Sequence, residues 1–552
     1  MKNLMSDIQH YIQNRKTYRK ELLIKALQSR GNINILIGFY DRALNDYQRI
    51  CQFKEYRVNG YIGISEVLEY MGKYRDALEH INRALKETTT SLSRIEVMNQ
   101  KLFLLIRLGY INRVKIVSKS VQKFIKGIKA KKQEIYISIA RSFYNLAVFY
   151  FQTGKFNIAL QFAKRCVKIA GQIEDKRRQG LSYNLLGLIY KKLNKRNFSL
   201  NYFQKSAQYF NQIGDVGQLA GCYNNIGNSM EDLSEAISYY KKALSIFIQI
   251  GYTMGIVEVT HNIANSNLSL GISKTALAGY KKAYEISKTM EYKFGISINL
   301  TGMGRASKLL GNYKQARKYF YKAFNLTSEI NDREGLLENS FIIAVLKNEQ
   351  NDNTAYFWIQ KAKQLAKELK NYPYLAEILY EEFKYLIYYR KYTNILGLKN
   401  EISRLSKLQL TQRAQIFLII LKLEIQNTDL KIAKNRQVKI LVKEAENLLK
   451  ETQDCETIFY LSKTLINFYL DRNLKKAYLI HAFMNRMIGK DEMKCYYPTL
   501  LFLKVKLDYY KSGIMNNNKI KQALNCAKTI GNRGLVEEIN RWSKLKKSCI
   551  QN

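Results

Sequence analysis

The chain is 552 residues long, with 90 Lys and Arg against 45 Asp and Glu, a formal charge of +45, and only 2 prolines. At 47% hydrophobic and 12% aromatic residues it has ample apolar material for a core, which excludes a disordered or collagen-like polymer. So few prolines point to long uninterrupted helices, because proline inside a helix costs about 3 kcal/mol through a lost donor and a ring clash.

In chain order, Met1 to Asn14 mix Lys2, Asp7 and His10 without an apolar run or a small-residue cleavage site, so no secretory leader is expected and a cytoplasmic, soluble protein is. Helical hairpins follow. Gly31, Gly38, Tyr40, Ala43 and Tyr47 mark one unit, Gly72, Tyr74, Ala77 and Ala84 a second, and a degenerate third surrounds Gly109, so residues 1–133 read as degenerate hairpins. From Arg113 to Lys132 there are eight Lys and Arg and no acid. Lys115, Lys119, Lys123 and Lys126 step by 4, 4 and 3, one face of a helix, with Val114, Val117, Val121 and Phe124 opposite. Such a stripe costs stability unless an anion offsets it, which makes RNA, an acidic protein surface or a membrane surface a candidate partner. Two further basic concentrations lie at Lys176, Arg177, Arg178, Lys191, Lys192, Lys195 and Arg196, and from Lys431 through Lys434, Arg436, Lys439 and Lys443.

The middle of the chain repeats. A small residue recurs at Ala159, Ser199, Ala236, Ala276, Ala316 and Ala355, spaced 40, 37, 40, 40 and 39 residues apart, which only a repeat array produces. Within units the order is small, glycine, small, aromatic, small: Ala264, Gly271, Ala276, Tyr280, Ala283, and again Gly304, Gly311, Ala316, Phe320, Ala323. This is the pattern of antiparallel helix pairs, in which a small residue lets backbones approach and the aromatic fills the wedge. Gly154, Gly271 and Gly311 fall where a helix must end with positive φ. Residues 134–370 therefore form the core array of about six units, and 371–552, beyond Pro373, divergent hairpins and a cap. One unit departs: Gly227 to Ala236 spans nine residues where Ala264 to Ala276 spans twelve, almost a helical turn fewer, so a shortened hairpin is expected near Met230 to Ser234.

These segments resemble the tetratricopeptide repeat in its long form of about 40 residues, the type of kinesin light chain, spindle-orientation scaffolds and bacterial peptide sensors. The signature Leu-Gly-x-x-Tyr stands as Leu186, Gly187 and Tyr190, and the closing Ala-x-x-x-aromatic-x-x-Ala as Ala236, Tyr240 and Ala243. The resemblance implies an all-α, right-handed α-solenoid whose concave face is lined by the first helix of each pair. On those first helices asparagine recurs at Asn145, Asn184, Asn224, Asn225, Asn262, Asn265 and Asn299. An amide offers a donor and an acceptor, which suits an extended peptide backbone, and in the resembled family asparagines at similar positions hold one. A protein or peptide partner in the concave groove is thus the leading expectation for a non-catalytic scaffold or adaptor. A basic subunit of a ribonucleoprotein and a peptide-responsive regulator are the alternatives.

Chemistry has little to build on. The seven cysteines are scattered with no CxxC pair and the four histidines are far apart, so neither a disulfide framework nor a metal site is expected, and no cofactor. Gly302-Met303-Gly304 belongs to a helix crossing, and no phosphate loop, nucleophile elbow or HExxH is present, so no enzyme is expected. The aromatics that could stack on bases (Tyr190, Phe203, Tyr240, Tyr280, Phe320) occupy packing positions. The most apolar stretch, Phe417 to Leu421, is flanked by Lys422 and Glu424 and is too short to span a bilayer.

Overall fold

A computed structural model describes residues 20–36, 39–127, 133–408, 410–427, 436–488 and 492–551. The first 19 residues, Gly38, Lys129, Lys131, Lys132, Lys431 and Lys434 lie outside the described residues. The helices, in chain order, are α1 (Lys20–Leu36), α2 (Tyr40–Cys51), α3 (Arg57–Tyr70), α4 (Tyr74–Glu87), α5 (Ser91–Arg107), α6 (Ile111–Gly127), α7 (Gln133–Gln152), α8 (Phe156–Gln172), α9 (Lys176–Lys192) and α10 (Arg196–Gln212). There follow α11 (Val216–Gly227), α12 (Leu233–Gln249), α13 (Thr253–Ser269), α14 (Ser273–Thr289), α15 (Lys293–Leu309), α16 (Tyr313–Glu329), α17 (Arg333–Glu349), α18 (Ala355–Glu368) and α19 (Tyr372–Tyr388). The last are α20 (Ile395–Leu405), α21 (Gln412–Asn427), α22 (Arg436–Glu451), α23 (Cys455–Tyr469), α24 (Leu474–Ile488), α25 (Tyr497–Ser512), α26 (Asn517–Ile530) and α27 (Arg533–Gln551). Among the described residues there is no strand, and no helix is long and apolar enough to cross a membrane.

The helix ends are written in the sequence. Asp175, Asp232, Asp332 and Asp454 each accept a hydrogen bond from the N–H three residues on, at 2.8, 2.8, 3.0 and 3.0 Å, which fixes the starts of α9, α12, α17 and α23 at about 1 kcal/mol apiece. Gly154, Gly271 and Gly311 end their helices at φ +72°, +77° and +82°, as their spacing predicts. Elsewhere asparagine does the same work, with Asn194, Asn331 and Asn351 at φ between +53° and +55°. The two prolines, Pro373 and Pro498, sit in the first turns of α19 and α25, where the missing N–H has no intrahelical partner to lose. Pro373 thus starts a helix within a continuing stack.

Small and aromatic residues interlock as the repeat pattern predicts. A methyl group placed on Gly304 would lie 2.3 Å from the Phe320 ring, so only glycine lets α15 and α16 close on that ring. Phe203, Tyr280 and Phe320 are completely buried. The shortened unit falls on its first helix alone: α11 has 12 residues against 17 in α9 and α13, while its partner α12 keeps all 17.

The chain divides into two compact units within α11, residues 1–222 and 223–552. The expected divisions at 133/134 and 370/371 follow the quality of the repeat signature, whereas this division follows the packing of the helices. In the first unit, pairs α1/α2 to α9/α10 stack in order, and their core draws on residues from Leu23 to Tyr190. Asn99 of α5 ties this stack together, giving its Nδ2 to the Ser138 carbonyl at 2.9 Å and accepting from Ser142 Oγ at 2.7 Å. Helix α6 packs along α5 but meets α7 only sparsely, so its lysine face stays open.

The second unit begins with regular pairs from α13/α14 to α17/α18. Beyond them the first helices α19, α21 and α23 pack directly side by side, more closely than the first helices before them. The last pairs return onto the earlier ones. The Cys495 N–H donates to the Leu309 carbonyl at 3.2 Å, Gln453 Oε1 accepts from the Leu233 N–H at 3.0 Å, and Tyr388 donates to Glu537. The turn at Gly271 is tight against Met493 and Cys455, where an added methyl group would lie 2.8 and 3.2 Å from their sulfur atoms. Glycine and short turns on one edge of the array therefore make room for the returning chain.

Candidate functional site

Because the stack of the second unit returns on itself, the inner faces of its first helices enclose a cavity of about 600 Å³. Successive first helices each contribute: Leu268 and Ser269 from α13, Arg305 and Lys308 from α15, Glu338 and Phe341 from α17, Tyr374 and Glu377 from α19, Arg413 and Phe417 from α21, Glu456 and Tyr460 from α23. The segments Met230 to Leu233 and Thr452 to Asp454 meet across one side through Gln453, which also donates to Asp232 at 3.1 Å. Repeat geometry explains this convergence, since equivalent positions on stacked helices point to one side.

Arg413 anchors the charge network. Its guanidinium grips Glu377 with two bonds, Nε to Oε1 at 2.8 Å and Nη2 to Oε2 at 3.0 Å, and reaches Asp454 at 2.6 Å and Glu456 at 3.0 Å, so one side chain joins α19, α21 and the start of α23. The same guanidinium lies 5.3 Å from the Phe417 ring centroid. Lys308, 7% exposed, pairs with Glu349 at 2.9 Å, and Arg305 lies 3.9 Å from Glu338. Enclosure pushes the Glu456 carboxyl up, but Arg413, Lys308 and Arg305 overcome this and hold it down at about 2. For Glu338 the balance tips the other way: enclosure raises its carboxyl above the ordinary range despite Arg305 and a hydrogen bond from Tyr374. The Glu338 side chain nonetheless keeps 32% of its surface accessible, because what encloses it is the wall of an open cavity.

None of the seven asparagines lines this cavity. Asn145, Asn224 and Asn299 are buried, which corrects the expectation that they project onto an open wall. Two of them serve a neighbouring helix, Asn145 Nδ2 reaching the Asn99 carbonyl at 3.4 Å and Asn224 donating to Glu258 at 2.8 Å, while Asn299 Nδ2 donates to the Gly295 carbonyl of its own helix at 2.8 Å. The reason is the repeat itself, since a short amide at equivalent positions of adjacent first helices meets its counterpart before it meets solvent. Asn262 donates to Asn224 at 2.9 Å, and His261, pushed down by burial, lies 3.0 Å from Asn299. Asn184, Asn225, Asn262 and Asn265 are half-buried, and Asn265 accepts the Tyr280 hydroxyl at 2.5 Å.

The other predicted group, in the first unit, is different. Lys115, Lys119, Lys123 and Lys126 are exposed on α6, and among the described residues none is within ion-pair distance of a carboxylate. Ile116, 67% exposed, stands among them. The basic concentration from Lys176 to Arg196 is partly engaged. Arg178 lies over the Tyr144 ring and 3.8 Å from Asp175, and Arg177 is 3.6 Å from Asp215.

Sequence reasoning missed the cavity charges. Glu338, Glu377 and Arg413 lie 39 and 36 residues apart, close to the repeat length, and that periodicity was available. It was hidden because the residues change sign along the series, whereas asparagines and lysines repeat as themselves.

Residues 139–173 and 300–329 match tetratricopeptide repeat profiles. The chain carries tetratricopeptide repeats. The matched stretches cover most of α7/α8 and most of α15/α16. No curated protein matches the sequence. Solved structures with similar repeats include a Rap protein complexed with competence and sporulation factor, at 13% identity and a TM-score of 0.45, covering 72% of this chain and 99% of that one. Another is aspartyl phosphate phosphatase F from Bacillus subtilis, at 15% identity and a TM-score of 0.39, covering 73% and 96%. A signal-transduction ATPase with a tetratricopeptide repeat sensor, from Pyrococcus horikoshii, gives 14% identity and a TM-score of 0.48, covering 60% of this chain and 51% of that one.

Proposed function

We propose that this chain is a non-catalytic tetratricopeptide scaffold whose second unit binds an extended peptide, or an extended segment of a protein, on the inner faces of its first helices. The observation that carries this reading is the cavity of about 600 Å³ to which six successive first helices contribute. Its lining alternates aromatic rings with charged groups, the composition of a site that grips apolar and polar parts of one ligand together. The half-buried amides of Asn225, Asn262 and Asn265, on first helices of the same unit, are candidates for holding ligand backbone beyond the cavity.

The test is a random hexapeptide library displayed on beads and challenged with the full chain. Ser269→Trp puts an indole into the cavity from a half-buried position and should cut peptide enrichment more than tenfold at unchanged melting temperature. Equal enrichment by the parent and S269W would move the binding site elsewhere.

A second reading rests on a separate observation, the open lysine face of α6. In it the first unit docks an anionic surface, and binding weakens steeply as salt rises between about 50 and 200 mM. The same experiment with Lys115→Glu and Lys119→Glu tests it, since charge reversal there abolishes such docking and leaves peptide enrichment by the cavity intact.

A further inference from the structure

The protein as a whole is strongly basic, so its surface favours acidic partners. The cavity of the second unit has the opposite balance. Six carboxylates line it, against the three cations Arg305, Lys308 and Arg413. Leaving out Glu231, and leaving out Glu381 and Lys308, which turn to Lys384 and Glu349 outside the lining at 2.9 Å each, the carboxylates of Glu338, Glu377, Asp454 and Glu456 still face only Arg305 and Arg413. The walls between these charges are aromatic. Phe341 and Tyr374 meet edge to face at 5.8 Å, beside Glu338.

The cavity already shows which chemistry its groups receive. Arg413 supplies a guanidinium that is held by three carboxylates and backed by an aromatic ring. Glu338 has the same kind of surroundings without so close a partner: its nearest cation is 3.9 Å away, beyond hydrogen-bond distance, and a third of its side chain is open to the cavity.

Resting on the peptide-binding reading above, we infer that the cavity selects a peptide carrying a cationic side chain, arginine or lysine, whose charged group seats against Glu338 beside the Phe341 and Tyr374 rings. A cation there offsets part of the negative excess on a wall partly shielded from water, where Coulomb attraction is stronger than in bulk water. The chain's own Arg305 lies 3.9 Å from Glu338 and is drawn also toward Glu456. Arginine presents a planar group that both pairs with a carboxylate and stacks on rings, whereas lysine presents a point charge.

The bead library decides this, because the net charge and the cavity predict opposite enrichments. With the full chain at about 150 mM salt, the expected result is enrichment of Arg- and Lys-containing hexapeptides over Asp- and Glu-containing ones, lost in S269W. Resynthesised peptides with Arg, Lys, Gln or Glu at the enriched position are then titrated. Glu338→Gln should weaken the Arg or Lys peptide about ten- to a hundredfold, the value of one charged hydrogen bond, and leave its Gln counterpart within about twofold. An Arg peptide much tighter than its Lys counterpart identifies stacking as part of the selection. Glu338→Asp, which keeps the charge, serves as the folding control and should retain more affinity than E338Q. Neutral or acidic peptides that bind in an S269W-sensitive way overturn the cationic preference and leave the peptide-binding reading standing. No enrichment of any peptide overturns both.

Discussion

The two units put charge to opposite uses. On α6 of the first unit, four lysines share an exposed face with no carboxylate within ion-pair reach among the described residues. In the cavity of the second unit, cations and carboxylates are interleaved, with one arginine serving three acids. The difference teaches where to look for partners in a chain of +45. A like-charged stripe raises the long-range field and waits for a counter-surface, while an enclosed network holds helices in place and shapes a small, specific site.

The largest expected effects test whether the second unit's inner wall is built by interlocked repeats and paired charge. Phe320→Ala removes a completely buried ring from the crossing it shares with Gly304 and should cost about 3–5 kcal/mol, read by denaturant unfolding of the full chain. A cost below about 1 kcal/mol would mean that the pair packs differently. Arg413→Met strands Glu377, Asp454 and Glu456 around an apolar side chain. Discounted for its partial exposure, the loss should be roughly 2–4 kcal/mol and should be recovered in part when Glu377→Gln is added.

Acid sharpens the same contrast. Glu456 and Glu538 are both held down at about 2, so each contributes stability that is fully present above the ordinary carboxylate range and is lost as pH falls through the folded value, between about pH 5 and 2. Glu338 is shifted upward, so its contribution runs the other way and offsets part of this loss. Melting temperature followed across that window should fall, and Glu456→Gln should flatten the profile. A parent profile no steeper than that of E456Q would contradict the assignment.

The smallest effect on stability is predicted for the lysine face. Substituting Lys115, Lys119, Lys123 and Lys126 together by Ala should change unfolding free energy by less than about 1 kcal/mol, because the side chains touch no partner and their mutual repulsion is relieved. A large loss of stability would show that α6 depends on those side chains for its place in the fold.

Much of the fold is legible in the sequence because a repeat states each rule several times. Ala276, Tyr280 and Ala283, then Ala316, Phe320 and Ala323, announce the crossings, and Gly271 and Gly311 announce the turns. The site is less legible. Asn224 and Asn299 recur at the right interval, yet the same periodicity that puts side chains in a column also puts them in contact, so Asn224 bonds to Asn262 and Asn299 to His261 of the adjacent first helices. The cavity itself arises from the return of α23 to α27 onto earlier pairs, a contact across some 150 to 220 residues that no local pattern encodes. Its charged lining becomes visible only once α19, α21 and α23 are seen to pack side by side.

Hydrogen exchange on the full chain, with and without a peptide enriched from the bead library, tests the central claim most directly. A peptide seated on the inner wall adds protection within residues 300–345 and 370–420, which carry the cavity faces of α15, α17, α19 and α21, and none within residues 111–127. Protection confined to 111–127, with the inner helices unchanged, would contradict it.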